Sequence, residues 1–196
     1  MTNNDKMDEI ISELRESARV KLEILKEAAS IKAAAERMTQ ALATNHRIYL
    51  FGNGGSAADA QHIAGELIGR FRRERPALPV LALTTNTSAL TAIANDFGFE
   101  QAFARQVEAL ATEGDVVVAI STSGNSPNVL RAVEVAKKKG AETIGLTGAS
   151  GGKLAALVDI CIRVNSDKTW RIQEGHITIG HILCGLIEDG LLKGNA

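Results

Sequence analysis

The sequence lacks both a long apolar run and a close pair of cysteines. No stretch reaches the roughly 20 apolar residues that span a membrane, and the acidic start, MTNNDKMDEIISEL, has neither the basic nor the apolar region of a signal peptide. The two cysteines, Cys161 and Cys184, form no CxxC motif, so we interpret them as buried, reduced thiols. These absences predict a cytoplasmic protein without a membrane segment.

An excess of positive charge is also missing. The chain has 22 Lys and Arg against 23 Asp and Glu, and its net charge of -1 offers no basic field to a nucleic acid backbone. The one basic cluster runs from Arg70 to Arg75, but Glu74 interrupts it and Pro76 follows it. We therefore expect no nucleic acid partner, and we interpret this cluster as a solvated loop.

The chain does have enough apolar sequence for one domain. Its 196 residues are 45% hydrophobic and show no repeat, linker or shift of composition, which predicts a single domain over residues 1–196. Apolar residues at helical spacing predict one long helix or two shorter ones over residues 7–44: Ile10, Ile11, Leu14, Ala18, Leu22, Leu25, Ala29 and Ala33. Because this stripe has no evident partner within the domain, we interpret residues 1–45 as a helical oligomerisation segment.

Strand and helix patterns alternate from residue 47 onward. Five apolar runs predict strands (RIYLFG, PVLALTT, DVVVAIST, ETIGLTG and ICIRVN), and helices are predicted from residue 56, near 100–112, from 127, and at the end to about 192. Continuously apolar strands are typical of a parallel sheet covered on both faces. The prediction is an α/β three-layer sandwich with a five-stranded parallel sheet, preceded by an N-terminal helical segment.

Two turns follow predicted strands, where ligands bind in this fold class. The first, GNGGSA over residues 52–57, matches a dinucleotide-binding pattern, but no acid follows the second strand to hold a ribose, so a nicotinamide enzyme is a distant alternative. The second, STSGNSP over residues 121–127, has four hydroxyls at a helix start and no Walker lysine, which favours a phosphomonoester. Any one of these hydroxyls alone is explained as a turn or cap residue.

Candidate catalytic side chains lie on the helices. His62 and Glu66 are four residues apart, a spacing that suits a paired metal site and equally a salt bridge. The last helix adds Gln173 and His181 within RIQEGHITIGH. Eight residues of regular helix would separate these two by about 12 Å. They can share one ion only if Gln173 lies at an irregular helix start or the metal draws on more than one subunit.

Five motifs in order, GNGGSAADAQH, AGEL, ANDFGF, ISTSGNS and RIQEGHITIGH, resemble the sugar isomerase (SIS) family, and specifically its phosphoheptose isomerases, from about residue 47 to the C-terminus. The resemblance implies a homotetramer with active sites between subunits and one zinc ion per subunit. It also implies conversion of sedoheptulose 7-phosphate to D-glycero-D-manno-heptose 7-phosphate, the first step of bacterial heptose synthesis for lipopolysaccharide or related glycans.

The same resemblance assigns roles to individual residues. The implied zinc ligands are His62, Glu66, Gln173 and His181, with Glu66 and His181 also acting as acid and base. The implied sugar-phosphate contacts are Asn53, Gly54, Gly55, Ser56, Glu66, Asn95, Asp96, Ser121, Thr122, Ser123, Ser126 and Gln173. The chemistry agrees with these roles, because isomerisation through an enediol needs a base, a group for the oxygen proton and positive charge near the oxyanion.

Two features leave the function open within this family. Trp170 stands where some relatives have a small or acidic residue before RIQE. The turn sequences also do not indicate the length of the sugar, its anomer or the downstream glycan. The family also has a non-catalytic branch that binds the bacterial replication initiator, and SAADAQH and LTAIAND resemble that branch as well. Because a pure adaptor needs neither Glu66 nor His181, we prefer the enzyme and keep the adaptor as the alternative.

Overall fold

A five-stranded, fully parallel sheet forms the centre of the molecule. The computed structural model describes residues 3–193. The strands are β1 (Ile48–Gly52), β2 (Val80–Ala82), β3 (Val116–Ser121), β4 (Glu142–Gly148) and β5 (Ile160–Val164). They lie in the order β2-β1-β3-β4-β5, and all four neighbouring pairs are parallel. The predicted α/β class and strand count are confirmed.

Helices cover both faces of this sheet. They are α1 (Asn3–Glu23), α2 (Ala28–Ala43), α3 (Gly55–Ile68), α4 (Thr87–Phe97), α5 (Ala104–Leu110), α6 (Pro127–Lys138), α7 (Leu154–Leu157) and α8 (Thr169–Lys193). Short 3-10 turns cover Ile24–Glu27 and Phe99–Gln101. The N-terminal region is therefore two helices separated by a tight turn, one of the two arrangements that the periodicity predicted.

Two hydrophobic clusters, one on each sheet face, show the three layers. Along β1, Ile48 and Leu50 belong to the cluster under α2, α3 and α8, whereas Tyr49 and Phe51 belong to the cluster under α5 and α6. This alternation follows from the period of two along a strand. All five residues of β1 are buried, as expected for a central strand with helices above and below it.

The sequence analysis missed α4, whereas the helical stretch that it predicted near 100–112 is present. That stretch is a 3-10 turn followed by the short helix α5. α4 has no fully buried residue, and its apolar side is only half-buried, with Leu90 packed against the cluster on that face of the sheet. The available signal was Asn86, whose side chain caps the helix by accepting a hydrogen bond from the Ala89 N–H at 3.0 Å.

The N-terminal helices bury one face and expose another. Ile31 and Met38 of α2 lie in the core, and α2 packs along α8. The predicted apolar stripe lies on the other side, where Leu14, Leu22 and Leu25 are 66%, 67% and 74% exposed. The stripe thus has no partner within the described part of the chain, as the sequence led us to expect.

The basic cluster is not simply a solvated loop, which corrects that interpretation. Arg72 and Arg73 are exposed, but the side chain of Arg75 is 3% exposed and forms an ion pair with the buried Glu188. A buried guanidinium needs such a partner, and the partner lies 113 positions away in the sequence.

None of the helices between residues 3 and 193 combines the length and hydropathy that crossing a bilayer requires.

Candidate active site

The strand order reverses direction at β1, and the site lies there. β1 has β2 on one side and β3 on the other, so the crevice beyond the carboxyl ends of β1 and β3 is the switch point where open α/β sheets bind ligands. Gly52 at the end of β1 pairs in register with Ile120 of β3. The two turns singled out in the sequence follow these two strands and therefore lie side by side.

The first turn needs its glycines for space and for backbone conformation. A Cβ at Gly52 would lie 2.7 Å from the Ile120 carbonyl oxygen, and Gly54 has a φ of +55°. The turn leads directly into α3, whose first backbone N–H groups lie at the positive end of the helix dipole. Gly54 and Gly55 are exposed at this end of the helix, the kind of position at which anions bind, whereas the Ser56 and Ala57 N–H groups donate to the Asn53 and Gly54 carbonyls at 3.0 Å.

The second turn gathers hydroxyls at the start of α6. Ser121 Oγ and Ser126 Oγ lie 3.0 Å apart, and Ser123 Oγ accepts a hydrogen bond from the Asn125 N–H at 3.1 Å. Pro127 is the first residue of α6, as predicted from its position. Thr122 lies in the same turn, and its carbonyl accepts a hydrogen bond from Gly148 N–H at 3.0 Å.

A pair of asparagines joins the two turns. Asn53 Nδ2 donates to Asn128 Oδ1, and Asn128 Nδ2 donates to Asn53 Oδ1, both at 2.9 Å. Asn128 is the second residue of α6 and is 3% exposed. Sequence reasoning missed Asn128, because an asparagine after a proline at a helix start does not reveal a partner 75 positions away.

The side chain of Gln173, on α8, packs against the first turn. A Cβ at Gly55 would collide with the side-chain amide of Gln173, so the amide lies directly on this glycine. Ser56 is buried beneath the same turn. Gln173 thereby adds a polar group to the first turn.

Three ligand-type side chains meet where α3 passes α8. His62 Nε2 lies 2.9 Å from His181 Nε2 and 3.4 Å from Glu66 Oε1. One potential ligand atom from each of these residues lies within 4.8 Å of the others. The predicted pairing of His62 and Glu66 on one helix face is therefore part of a three-residue cluster within a single chain.

The composition of the cluster suits a tetrahedral zinc ion. Zn²⁺ bound by nitrogen and oxygen at about 2.0–2.1 Å separates neighbouring ligand atoms by about 3.3 Å. The distance from His62 to Glu66 matches this value, and the two imidazole nitrogens would have to separate by about 0.4 Å. Two imidazoles and one carboxylate leave a fourth position, which is the composition typical of catalytic zinc sites.

The turns and the cluster lie at opposite ends of one seam between α3 and α8. At one end Gly55 contacts Gln173, and at the other His62 contacts His181. Seven residues of α3 span the interval from Gly55 to His62, or about 10 Å. Between them on α8 lies the half-buried Ile177. A ligand along this seam would have its anionic end at the turns and its other end at the cluster.

Some predicted residues are not brought together with these groups. Asn95 and Asp96 lie at the exposed end of α4, where Asn95 Nδ2 donates to Asp96 Oδ1 at 2.7 Å; no hydrogen bond within residues 3–193 connects them to either turn. α8 is helical through both Gln173 and His181, so the irregular start that would bring Gln173 to the cluster of its own chain does not exist.

Asp59 is a titratable residue near the seam that the sequence analysis did not identify. It lies on α3 between Gly55 and His62, and its Oδ2 is buried without a hydrogen-bond partner among the described residues. Burial raises the pKa of Asp59 to about 6, against an opposing effect of the nearby His62. The spacing of three residues to His62 was the only signal for it.

Comparisons with known proteins agree with this geometry. The family model described as SIS domain matches residues 14–148. A phosphoheptose isomerase of Rhodospirillum rubrum is 57% identical over 164 residues, covering 84% of this chain and 87% of that protein. A solved phosphoheptose isomerase from Neisseria gonorrhoeae has a TM-score of 0.89 and 45% identity over 93% of this chain and 98% of its own. One from Francisella tularensis has a TM-score of 0.91 and 40% identity, with coverages of 96% and 100%. The chain therefore belongs to the SIS domain family and, within it, to the phosphoheptose isomerases.

Proposed function

We propose that this isomerase converts sedoheptulose 7-phosphate to D-glycero-D-manno-heptose 7-phosphate, in the cytoplasm, as a step of bacterial heptose synthesis. The observation that carries the proposal is the seam between α3 and α8. At one end it has the turns over residues 52–57 and 121–127, which we call the phosphate-type turns, and at the other end it has the carboxylate–imidazole cluster. A sugar phosphate has the same division, because its phosphate and its reacting carbons lie at opposite ends of the molecule. The relatives named phosphoheptose isomerase support a seven-carbon sugar.

The phosphate would bind across the two turns. The backbone N–H groups at the start of α3 and the hydroxyls of Ser121, Ser123 and Ser126 supply donors around one point beyond β1 and β3. Thr122, Asn53 and Gln173 would contact the phosphate or the adjoining carbons. Asn95 and Asp96 remain proposed contacts to the sugar hydroxyls.

The proton transfer would be carried out by Glu66 and His181. Glu66 removes the proton from C1 of the ketose and returns it to C2, which forms the aldose through an enediol. A carboxylate has two oxygens, so one can face His62 while the other accepts this proton. His181 handles the proton on the sugar oxygens. A bound Zn²⁺, held by His62, Glu66 and His181, would supply positive charge near the developing oxyanion.

Further copies of the chain would bury the apolar side chains that one chain leaves exposed. Several large apolar side chains are exposed on α1 and beside α4, including Leu14, Leu22, Phe97 and Phe99. A closed homotetramer that buries them, with residues 1–45 as the oligomerisation segment, is the proposed state. Gln173 is too far along α8 to reach the cluster of its own chain, so it can act as a zinc ligand only from a partner.

Mixed oligomers test whether Gln173 acts in this way. Glu66→Gln protein mixed with Gln173→Ala protein under subunit exchange should regain activity, because some sites then contain neither substitution. Glu66→Gln mixed with His181→Ala should stay inactive, because one chain supplies both residues to each cluster. Lack of activity in the first mixture, with mixed oligomers verified by mass spectrometry, would show that Gln173 does not complete a partner's site.

A panel of ketose phosphates tests the function itself. Protein supplied with zinc is incubated with pentulose, hexulose and heptulose phosphates, and the products are followed by NMR. Conversion of the heptulose phosphate alone, or fastest, is the expected result. The adaptor alternative gives no conversion of any ketose and binding of the replication initiator instead; the presence of Glu66 and His181 within one cluster favours the enzyme.

A further inference from the structure

The loop after α3 is anchored by a buried ion pair with α8. Arg75 Nε lies 3.1 Å from Glu188 Oε1, and the two side chains are 3% and 1% exposed. The same carboxylate accepts hydrogen bonds from three successive backbone N–H groups, those of Phe71, Arg72 and Arg73, at 2.9, 2.9 and 3.2 Å. Burial raises the pKa of Glu188, but these donors and Arg75 outweigh that effect and hold the pKa below its ordinary value. The carboxylate therefore holds the loop in one conformation.

The other end of Arg75 holds the last turn of α3. Its Nη2 donates to the carbonyl oxygen of Glu66 at 2.9 Å, and its Nη1 donates to the carbonyls of Gly69 and Pro76 at 3.2 and 3.0 Å. Carbonyl groups at a helix C-terminus lack partners within the helix, so this guanidinium acts as a cap. The backbone of Glu66 is thus fixed to the same ion pair.

Phe71, which the carboxylate holds through its backbone, lies flat against His181. The two rings have centroids 5.6 Å apart and planes inclined by only 12°. The edge of His62 meets the imidazole at an inclination of 67°, with centroids 5.0 Å apart. Gly185, one turn beyond His181, lies beside the phenyl ring, since a Cβ there would be in ordinary van der Waals contact with Phe71 Cε1 at 3.6 Å. The imidazole of His181 therefore contacts both an aromatic ring and the second histidine.

We propose that the Glu188–Arg75 pair is the positioning device of this active site, with Arg75 fixing the Glu66 backbone and Phe71 fixing the plane of the His181 ring. The ion pair lies outside the seam and holds both Glu66 and His181, the residues of the proposed proton transfer, in position. The inference rests on the proposed function for the roles of Glu66 and His181, but its contacts are testable without catalysis. Phe71, Arg75 and Glu188 are positioning residues and have no contact with substrate in this account.

Histidine NMR on metal-free protein tests the ring contact directly. The chain has four histidines, so selective labelling gives a spectrum in which His181 can be assigned by substitution. Stacking on Phe71 should shift the His181 ring protons upfield. Phe71→Leu should abolish this shift, and Phe71→Tyr, which keeps the aromatic plane, should retain it. His181 signals unchanged in Phe71→Leu would overturn the proposal.

The role of the ion pair is tested with Phe71 left in place. Glu188→Gln should release the loop, so that the upfield shift of His181 is lost although the phenyl ring is still present. Because a buried Arg75 without its partner can prevent folding, Arg75→Lys is the second variant, since it keeps the charge and loses the caps on Glu66 and Gly69. A folded variant of either kind with normal His181 shifts contradicts the proposal.

Metal binding and kinetics separate positioning from simple stabilisation. Phe71→Leu should weaken Co²⁺ binding in a chelator competition by about tenfold and alter the visible spectrum of bound Co²⁺. Its kcat should fall by about tenfold while KM for the sugar phosphate stays within about twofold, because the phosphate turns are untouched. A lower melting temperature with wild-type Co²⁺ affinity, spectrum and kcat would show a structural role only. If wild-type protein isomerises no ketose phosphate, the proposed function fails, and the NMR and Co²⁺ results still decide this inference.

Discussion

Asn53 and Asn128 exchange two side-chain hydrogen bonds of 2.9 Å and so join the turn after β1 to the helix after β3. Each amide satisfies the donor and acceptor of the other, which makes the pair a rigid link between two turns that are 75 positions apart in sequence. The phosphate-type turns are consequently one unit rather than two independent loops. Their relative position depends on a contact that neither turn contains by itself.

Asn128→Ala should weaken binding of the sugar phosphate without stopping the chemistry. The substitution leaves the Asn53 amide without its two partners, which costs about 1–2 kcal/mol and corresponds to a rise in KM of about tenfold. We expect kcat to stay within about threefold, because the proton-transferring residues are unaffected. Steady-state kinetics on ketose phosphate measure both values, and an unchanged KM would show that the link does not shape the phosphate site.

Ser123→Asp should abolish binding of the sugar phosphate. The substitution puts a carboxylate into the exposed part of the second turn, where the phosphate dianion would lie, and the two negative charges repel each other. Asn45→Asp is the matched control, because it adds the same charge in the loop before β1, at the amino end of that strand and away from the turns at the carboxyl ends. Calorimetry with equal affinities for the two variants would exclude the second turn as the phosphate site.

Glu66→Gln should lower kcat by about 10²- to 10⁴-fold, the range expected for loss of a general base. Glutamine keeps the shape of the side chain but cannot accept the proton from carbon. The zinc content of the purified variant must be measured beside its kcat, because Glu66 is also a proposed ligand. Turnover near the wild-type value would rule out Glu66 as the base.

His176 should destabilise the metal-free protein as the pH drops from 7 to 5, in opposition to Asp59, whose raised pKa favours the folded state over the same range. This residue is fully buried on α8, and its Nε2 lies 3.1 Å from the Thr147 carbonyl oxygen. Burial lowers the pKa of His176 to about 4, against an opposing effect of that hydrogen bond. In the unfolded chain the pKa of this histidine is about 6.5, so only the unfolded chain binds the proton between the two values. The contribution of His176 to the free energy of unfolding should therefore fall by about 2 kcal/mol.

His176→Gln is the control for this prediction. Glutamine can still donate a hydrogen bond to Thr147 but does not titrate, so this part of the pH dependence should disappear. Urea unfolding at pH 7 and pH 5 measures the difference for both proteins. Equal pH dependence in the two would mean that His176 does not remain neutral in the folded state.

Sequence patterns predicted the features that depend on local order. The five strands, the two turns and the pairing of His62 with Glu66 each follow from residues that are close in the chain, such as a glycine at a strand end or a spacing of one helical turn. The spacing argument also left two ways for Gln173 and His181 to share one ion, and the regular course of α8 excludes the first of them, an irregular helix start at Gln173.

The remaining features depend on contacts between distant parts of the chain. The pairing of Asn53 with Asn128, the stacking of Phe71 on His181 and the burial of Arg75 by Glu188 leave no periodic signal. Arg75 looked like part of a solvated basic loop because its partner lies on the last helix. α4 is a short helix whose apolar side is only half-buried, with Leu90 packed on the core, so its sequence pattern is weak.

The isomerisation itself is tested most directly in D₂O. Zinc-supplied protein is incubated with sedoheptulose 7-phosphate, and the product is analysed by ¹H NMR and mass spectrometry beside the Glu66→Gln variant. We predict a heptose 7-phosphate with the aldehyde at C1 and deuterium at C2, since a base that carries the proton between the two carbons can exchange it with solvent. Unchanged ketose phosphate after prolonged incubation with the wild-type protein would contradict the account.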